Sequence, residues 1–146
     1  MKHTQLALIA LVVAVVAGAA LLLRPWLRDD VGWCRRVFTG LAQGSQYIQD
    51  SIDWERLKAL NADVGSEYRR MPNEEERANY RQAFISQFAR GFRQSKAAYD
   101  QFTNWRVLER GQDAVVVAAD YPAKQSTLLF EISELGGRRL EAIKWQ

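Results

Sequence analysis

A chain of 146 residues, 48% of them apolar, holds enough for one domain with a real core and no more. Its formal charge of +3 invites a nucleic-acid reading. However, only Lys2 of the 20 basic residues precedes the apolar run Leu6–Leu23, and the other 19 face 17 acids, a near balance that argues against such a partner.

In chain order, Leu6–Leu23 comes first, 18 residues without a charge. As a helix they reach about 27 Å, close to the ~30 Å hydrocarbon slab and longer than the ~7–15 residues of a cleavable signal. Ala17-Gly18-Ala19 has the look of a cleavage site, yet Leu21-Leu22-Leu23 carry the apolar run past it. Arg24, Trp26 and Arg28 fit a headgroup-depth anchor. The expectation is an uncleaved signal-anchor over residues 1–28, crossing the inner (cytoplasmic) membrane once, and a single α+β domain over 29–146. Arg24, Arg28, Arg35 and Arg36 against Lys2 point to a cytoplasmic body by charge asymmetry. The short basic leader instead matches the start of an export signal, and the reading here places the body in the periplasm or otherwise outside the cytoplasm.

Cys34, the sole cysteine, excludes an internal disulfide or a cysteine-based metal cluster and reads as a small buried hydrophobe. Cys34, Val37, Phe38, Leu41, Ser45, Ile48 and Ile52 keep a three-four spacing, which predicts a first amphipathic helix loosened near Gly40 and Gly44. A second helix is predicted over Asp53–Asn61, with Asp53 as N-cap and Trp54, Leu57 and Leu60 on one face. Gly65–Pro72 reads as a link. Asn73 then opens the longest helix, with Glu76 completing a capping-box pattern. Tyr80, Phe84, Phe88 and Phe92 step down it at intervals of four, with Tyr99 and Phe102 beyond. Such a stripe suits either a packed core or a cavity wall. Arg69, Arg70, Arg77, Arg81, Arg90 and Arg93 read as a solvated helix face beside Glu74, Glu75 and Glu76.

From Trp105 the rhythm changes to period two. Strands are predicted over Trp105–Arg110, Ala114–Tyr121, Ser126–Ser133 and Arg138–Gln146, with short turns that allow only antiparallel neighbours. The whole predicts an α+β body in which the long helix lies on a curled four-stranded antiparallel sheet.

The chemistry of the chain is defined by what it lacks. His3 precedes the apolar run, so the body has no imidazole for base work, nucleophile activation or zinc. No phosphate-cradling glycine loop, H-E-x-x-H or G-x-S-x-G is present. No cofactor or metal is expected, and no catalytic residue is assigned. Asp53, Asp100 and Asp120 with Tyr47, Tyr99 and Tyr121 are the one set from which an acid–base pair is conceivable.

The stretch SIDWERLKALNADVGSEYRRMPNEEERANYRQAFISQFARGF (residues 51–92) carries a Gly-x-x-Tyr-Arg link at Gly65–Arg69, a polar helix start with Arg77 and Tyr80, and the spaced rings. With the meander that follows, it resembles the toluene-tolerance family, which includes the periplasmic phospholipid-binding component of the Mla lipid-asymmetry system. The resemblance implies a nuclear-transport-factor-2-like (cystatin-like) cone holding phospholipid acyl chains between helices and sheet. By position, the implied cavity residues are Trp54, Leu57, Tyr68, Phe84, Phe88, Phe92, Tyr99, Val117, Leu128, Phe130 and Ile143. Two functions are expected from this reading. One is a membrane-anchored envelope protein that binds phospholipid or another apolar ligand, in lipid trafficking. The alternative is a structural subunit of an envelope or secretion assembly with protein partners.

Overall fold

The computed structural model describes residues 12–19 and 28–146. Residues 12–19 are helical, with Val12, Val13, Val15 and Val16 exposed. No described helix is long and apolar enough to cross a membrane, and most of the expected anchor over 1–28 lies outside the described residues.

Helix α1 spans Asp30–Gln43 and starts where the Asp29 side chain accepts the Gly32 N–H at 2.7 Å. Cys34, Val37, Phe38 and Leu41, the predicted stripe, are all buried. The helix ends earlier than predicted. Gly44 takes the left-handed conformation (φ 75°), its N–H returns to the Leu41 carbonyl, and Gln46–Ser51 continues as a 3₁₀ turn.

The second predicted helix is absent. After one turn closed by Leu57 N–H to the Asp53 carbonyl, Lys58–Ala59 forms strand β1 and Ala62–Asp63 strand β2, with Leu60 between them at φ 57°. The Trp54-Leu57-Leu60 spacing imitates a helix face, but Leu60 is exposed and its N–H bonds the Ile143 carbonyl. Helix α2 (Val64–Arg69) occupies the predicted link, its first turn bonded to the Asp63 carboxylate. Gly65 is required there: a Cβ would sit 2.5 Å from the Glu55 carbonyl oxygen. The Gly-x-x-Tyr-Arg motif is thus a joint. Gly65 permits the approach, Tyr68 packs on Trp54 with centroids 6.1 Å apart, and Arg69 donates to the Glu55 carbonyl.

Helix α3 (Glu74–Gln94) starts as predicted, with the Asn73 side chain accepting the Glu76 N–H at 2.9 Å and three glutamates in its first turn. Only Ile85 and Ala89 are fully buried along it. A step of four residues overshoots one turn by about 40°, so the four-ring stripe winds roughly a third of the way around the helix. Tyr80 therefore meets Tyr68, Phe84 meets Trp54, and Phe92 meets Phe38. The rings flank the buried line instead of forming it.

Strands β3 (Thr103–Arg110), β4 (Ala114–Tyr121), β5 (Ser126–Ser133) and β6 (Arg139–Trp145) form the predicted meander. The sheet itself corrects the expectation of four curled antiparallel strands: it is a six-stranded mixed sheet, not curled, in the order β2-β1-β6-β5-β4-β3. β1 adds in parallel to β6, with Lys58 opposite Ala142, and a parallel bridge joins Ile52 to Leu140. The backbone groups on the outer side of β6 are thereby paired by the segment expected to be helical.

Helix α1, and not the long helix, lies over the sheet, touching β3 and β4, while α3 packs on α1. Phe38 is the centre of this contact. Its ring stands 5.2 Å from Phe130, 5.0 Å from Phe102, 5.6 Å from Phe92 and 6.0 Å from Trp105. Beneath it Val117, Phe130 and Ile143 stand in register across three strands, all buried.

Candidate functional site

The antiparallel meander gives the sheet two ends with different chemistry. At one end β3 finishes, β5 finishes and β6 begins, and here α1 starts. Asp30 in the first turn of α1 has a fully buried carboxylate. Arg110 approaches one of its oxygens at 2.6 Å, Arg138 the other at 2.9 Å, and Arg28 stands 3.9 Å away. Neither oxygen has a hydrogen bond of regular geometry, so the attraction is chiefly coulombic. Glu134 pairs with Arg28, which raises that guanidinium's pKa, and lies 3.7 Å from Arg138; Arg138 also covers the Trp33 ring. Burial, aided by the Asp30 charge, pushes the nearby Cys34 thiol upward, so it stays protonated and unreactive.

At the other end, β4 and β6 finish, β3 and β5 begin, and α3 runs out. Three rings from separate segments stack here: Phe102 on Tyr121 at 4.8 Å, and Trp145 at 6.4 Å from Phe102. Opposite them stands the C-terminal half of α3 with Phe88 and Gly91, while Phe92 from the same helix stacks on Phe102 at 6.3 Å and joins the two sides. Between the two lies a groove of about 290 Å³, walled mainly by apolar surface and closed at its rim by Leu60, Ala97, Gln87, Ser95 and Lys124.

Gly91 is the informative residue. A glycine within a helix costs about 0.5–1 kcal/mol relative to alanine. Packing does not demand this one, because a Cβ there would meet nothing within 4 Å. Its missing side chain leaves the groove open along the helix.

The expected cavity residues divide between separate places. Phe88 and Phe92 line the groove. Leu57, Val117, Leu128, Phe130 and Ile143 are packed in the core under Phe38. Trp54 and Tyr68 border a polar cleft of about 350 Å³ with Asp53, Glu55, Arg56 and Arg139, and Phe84 packs edge-on against Trp54. The side chain of Tyr99 lies outside the described residues. The sequence reading missed Gly91, Tyr121, Lys124 and Trp145; a glycine without a packing reason inside α3 was the one available signal.

The polar residues elsewhere serve structure. Arg81, read as part of a solvated face, is an interior strut: it donates to Tyr68 Oη at 2.7 Å, to Glu74 at 2.7 Å and to Gln49 at 3.2 Å. Tyr80 donates to Glu67, and burial, then the Glu67 charge, raises its hydroxyl pKa. Asp120 accepts from Asn104, Arg106 and Thr127, which hold its carboxyl below the ordinary range. A carboxylate so held is a poor proton acceptor. The hydroxyl of Tyr121 points to Gln101 at 3.4 Å. Among the described residues no group of three His, Cys, Asp or Glu side chains is arranged to hold a metal ion.

No family model, curated protein or solved structure matches the chain.

Proposed function

We propose that this protein is a single-pass inner-membrane protein whose periplasmic body binds an apolar ligand, phospholipid or a portion of one, and serves lipid trafficking in the envelope. The observation that carries the reading is the groove opened by Gly91 between two aromatic walls. The exposed valines of the 12–19 helix, an apolar surface without cover, support attachment to a bilayer. The resemblance of roughly residues 50–146 to the toluene-tolerance family points to the same ligand class.

The groove's size limits the ligand. Pockets that enclose small molecules run from roughly 300 to 1,000 Å³, and about 290 Å³ is room for one chain or part of one, not for two. The test is mass spectrometry of the full chain after gentle extraction, beside Gly91→Leu, which fills the groove with a better helix former. Lipid on the natural chain and none on the variant is the expected result. No lipid on either, and no uptake on add-back, refutes the reading.

A second reading, a structural subunit of an envelope or secretion assembly, is favoured by one observation. The sheet centre, where the expected cavity would lie, is filled by the Phe38 ring cluster. Crosslinking in membranes would then trap one defined protein neighbour; a body that stays monomeric counts against it.

A further inference from the structure

Resting on the groove reading above, we infer that the ligand is a single-chain amphiphile with an anionic head, a fatty-acid-like carboxylate, whose head is held by Lys124. Three observations point there. Lys124 ends the short turn Pro122–Lys124 that leaves the Tyr121 ring, so its ammonium stands at the groove's rim. It is exposed and has no carboxylate within ion-pair distance among the described residues, whereas Lys144 on the last strand is paired with Glu131, and Lys96, between the lining residues Ser95 and Ala97, does not itself line the groove. The groove lining contains no acidic side chain at all, while Gln87 and Ser95 add uncharged polar groups at its mouth.

The end of α3 does not oppose this assignment. A helix C-terminus disfavours an anion, but Ser95 N–H bonds the Gly91 carbonyl and Lys96 N–H the Arg93 carbonyl, and Arg93 adds positive charge in the last turn. An acyl chain lying between Phe88 and Gly91 on one side and Tyr121 and Trp145 on the other, past the point where Phe92 stacks on Phe102, is then oriented by positive charge at one end.

The experiment uses the full chain in phosphatidylcholine nanodiscs with dodecanoate carrying a ¹³C carboxyl, read by that carbon's resonance, and dodecyltrimethylammonium as a competitor with the same tail and opposite charge. The natural chain is expected to give a saturable bound resonance, displaced by the cation only at about tenfold or greater excess. Lys124→Glu, an exposed change, weakens dodecanoate at least about tenfold. Gly91→Leu removes the bound signal. Equal binding of dodecanoate to Lys124→Glu, or equal competition by the cation, overturns the anionic-head assignment while leaving the groove reading intact. Undiminished binding to Gly91→Leu, or no binding of either amphiphile to the natural chain, overturns the groove reading itself.

Discussion

The two ends of the sheet solve opposite problems with the same strands. At the Asp30 end a buried carboxylate gathers three arginines from positions 28, 110 and 138. At the Trp145 end, rings gather around a groove in which Lys124 is the one charged lining residue among those described, and a glycine leaves their meeting place unfilled. Charge satisfied in place fixes a position; apolar surface left uncovered offers one. The end where the N-terminal segment joins is thus built to hold still, and the far end, about 25 Å along eight-residue strands, is built to receive.

Substitutions separate the two. Phe38→Ala should do the greatest harm, about 4 kcal/mol in urea unfolding, since this ring bridges α1, α3 and the sheet that both ends share. Asp30→Ala should cost about 3 kcal/mol, the low end for a broken buried pair, because Arg110 and Arg138 are partly exposed and regain water. Dodecanoate affinity should stay within about twofold in that variant, as expected of distant sites; a larger change would join the two ends into one system.

Cys34 yields a pH prediction at the charged end. Its thiol ordinarily ionises near 9.0 and in the fold is pushed well above that. A raised acid stays protonated in the fold while the unfolded chain ionises, so stability is intact below about pH 9 and falls above it. The loss is about 1.4 kcal/mol per pH unit at most. Between pH 9 and 10, Cys34→Ala should lose about 1 kcal/mol less than the natural chain in matched denaturant titrations. The smallest effect belongs to the receiving end: Gly91→Ala should stabilise the fold by about 0.5 kcal/mol in thermal melts. A loss of stability there would mean that the glycine serves packing after all.

Much of this architecture was legible in residue patterns. Period-two runs bounded by Gly111-Gln112-Asp113 and Gly136-Gly137 located β3–β6, and Asn73 with Glu76 located the start of α3. Strands of two residues carry no periodicity, so β1 and β2 were invisible, and the Trp54-Leu57-Leu60 spacing suggested a helix in their place. The groove was half legible. Phe88 and Phe92 belong to one helix and announce themselves. Phe102, Tyr121 and Trp145 meet only because three strand termini share one end of the sheet, which topology decides and local pattern does not. The same holds for Asp30, whose arginines are far apart in sequence.

The parallel pairing of β1 with β6 sets an order of assembly. Lys58 meets Ala142, 84 positions downstream, and the Ile52 bridge reaches Leu140. Such distant partners close slowly. During synthesis the segment between α1 and α2 must wait, with only β2 paired to β1, until residues 139–145 have emerged. A nascent chain halted before residue 139 should leave one flank of β5 bare, available to chaperones and proteases, so the arrival of β6 becomes the quality check on this sheet.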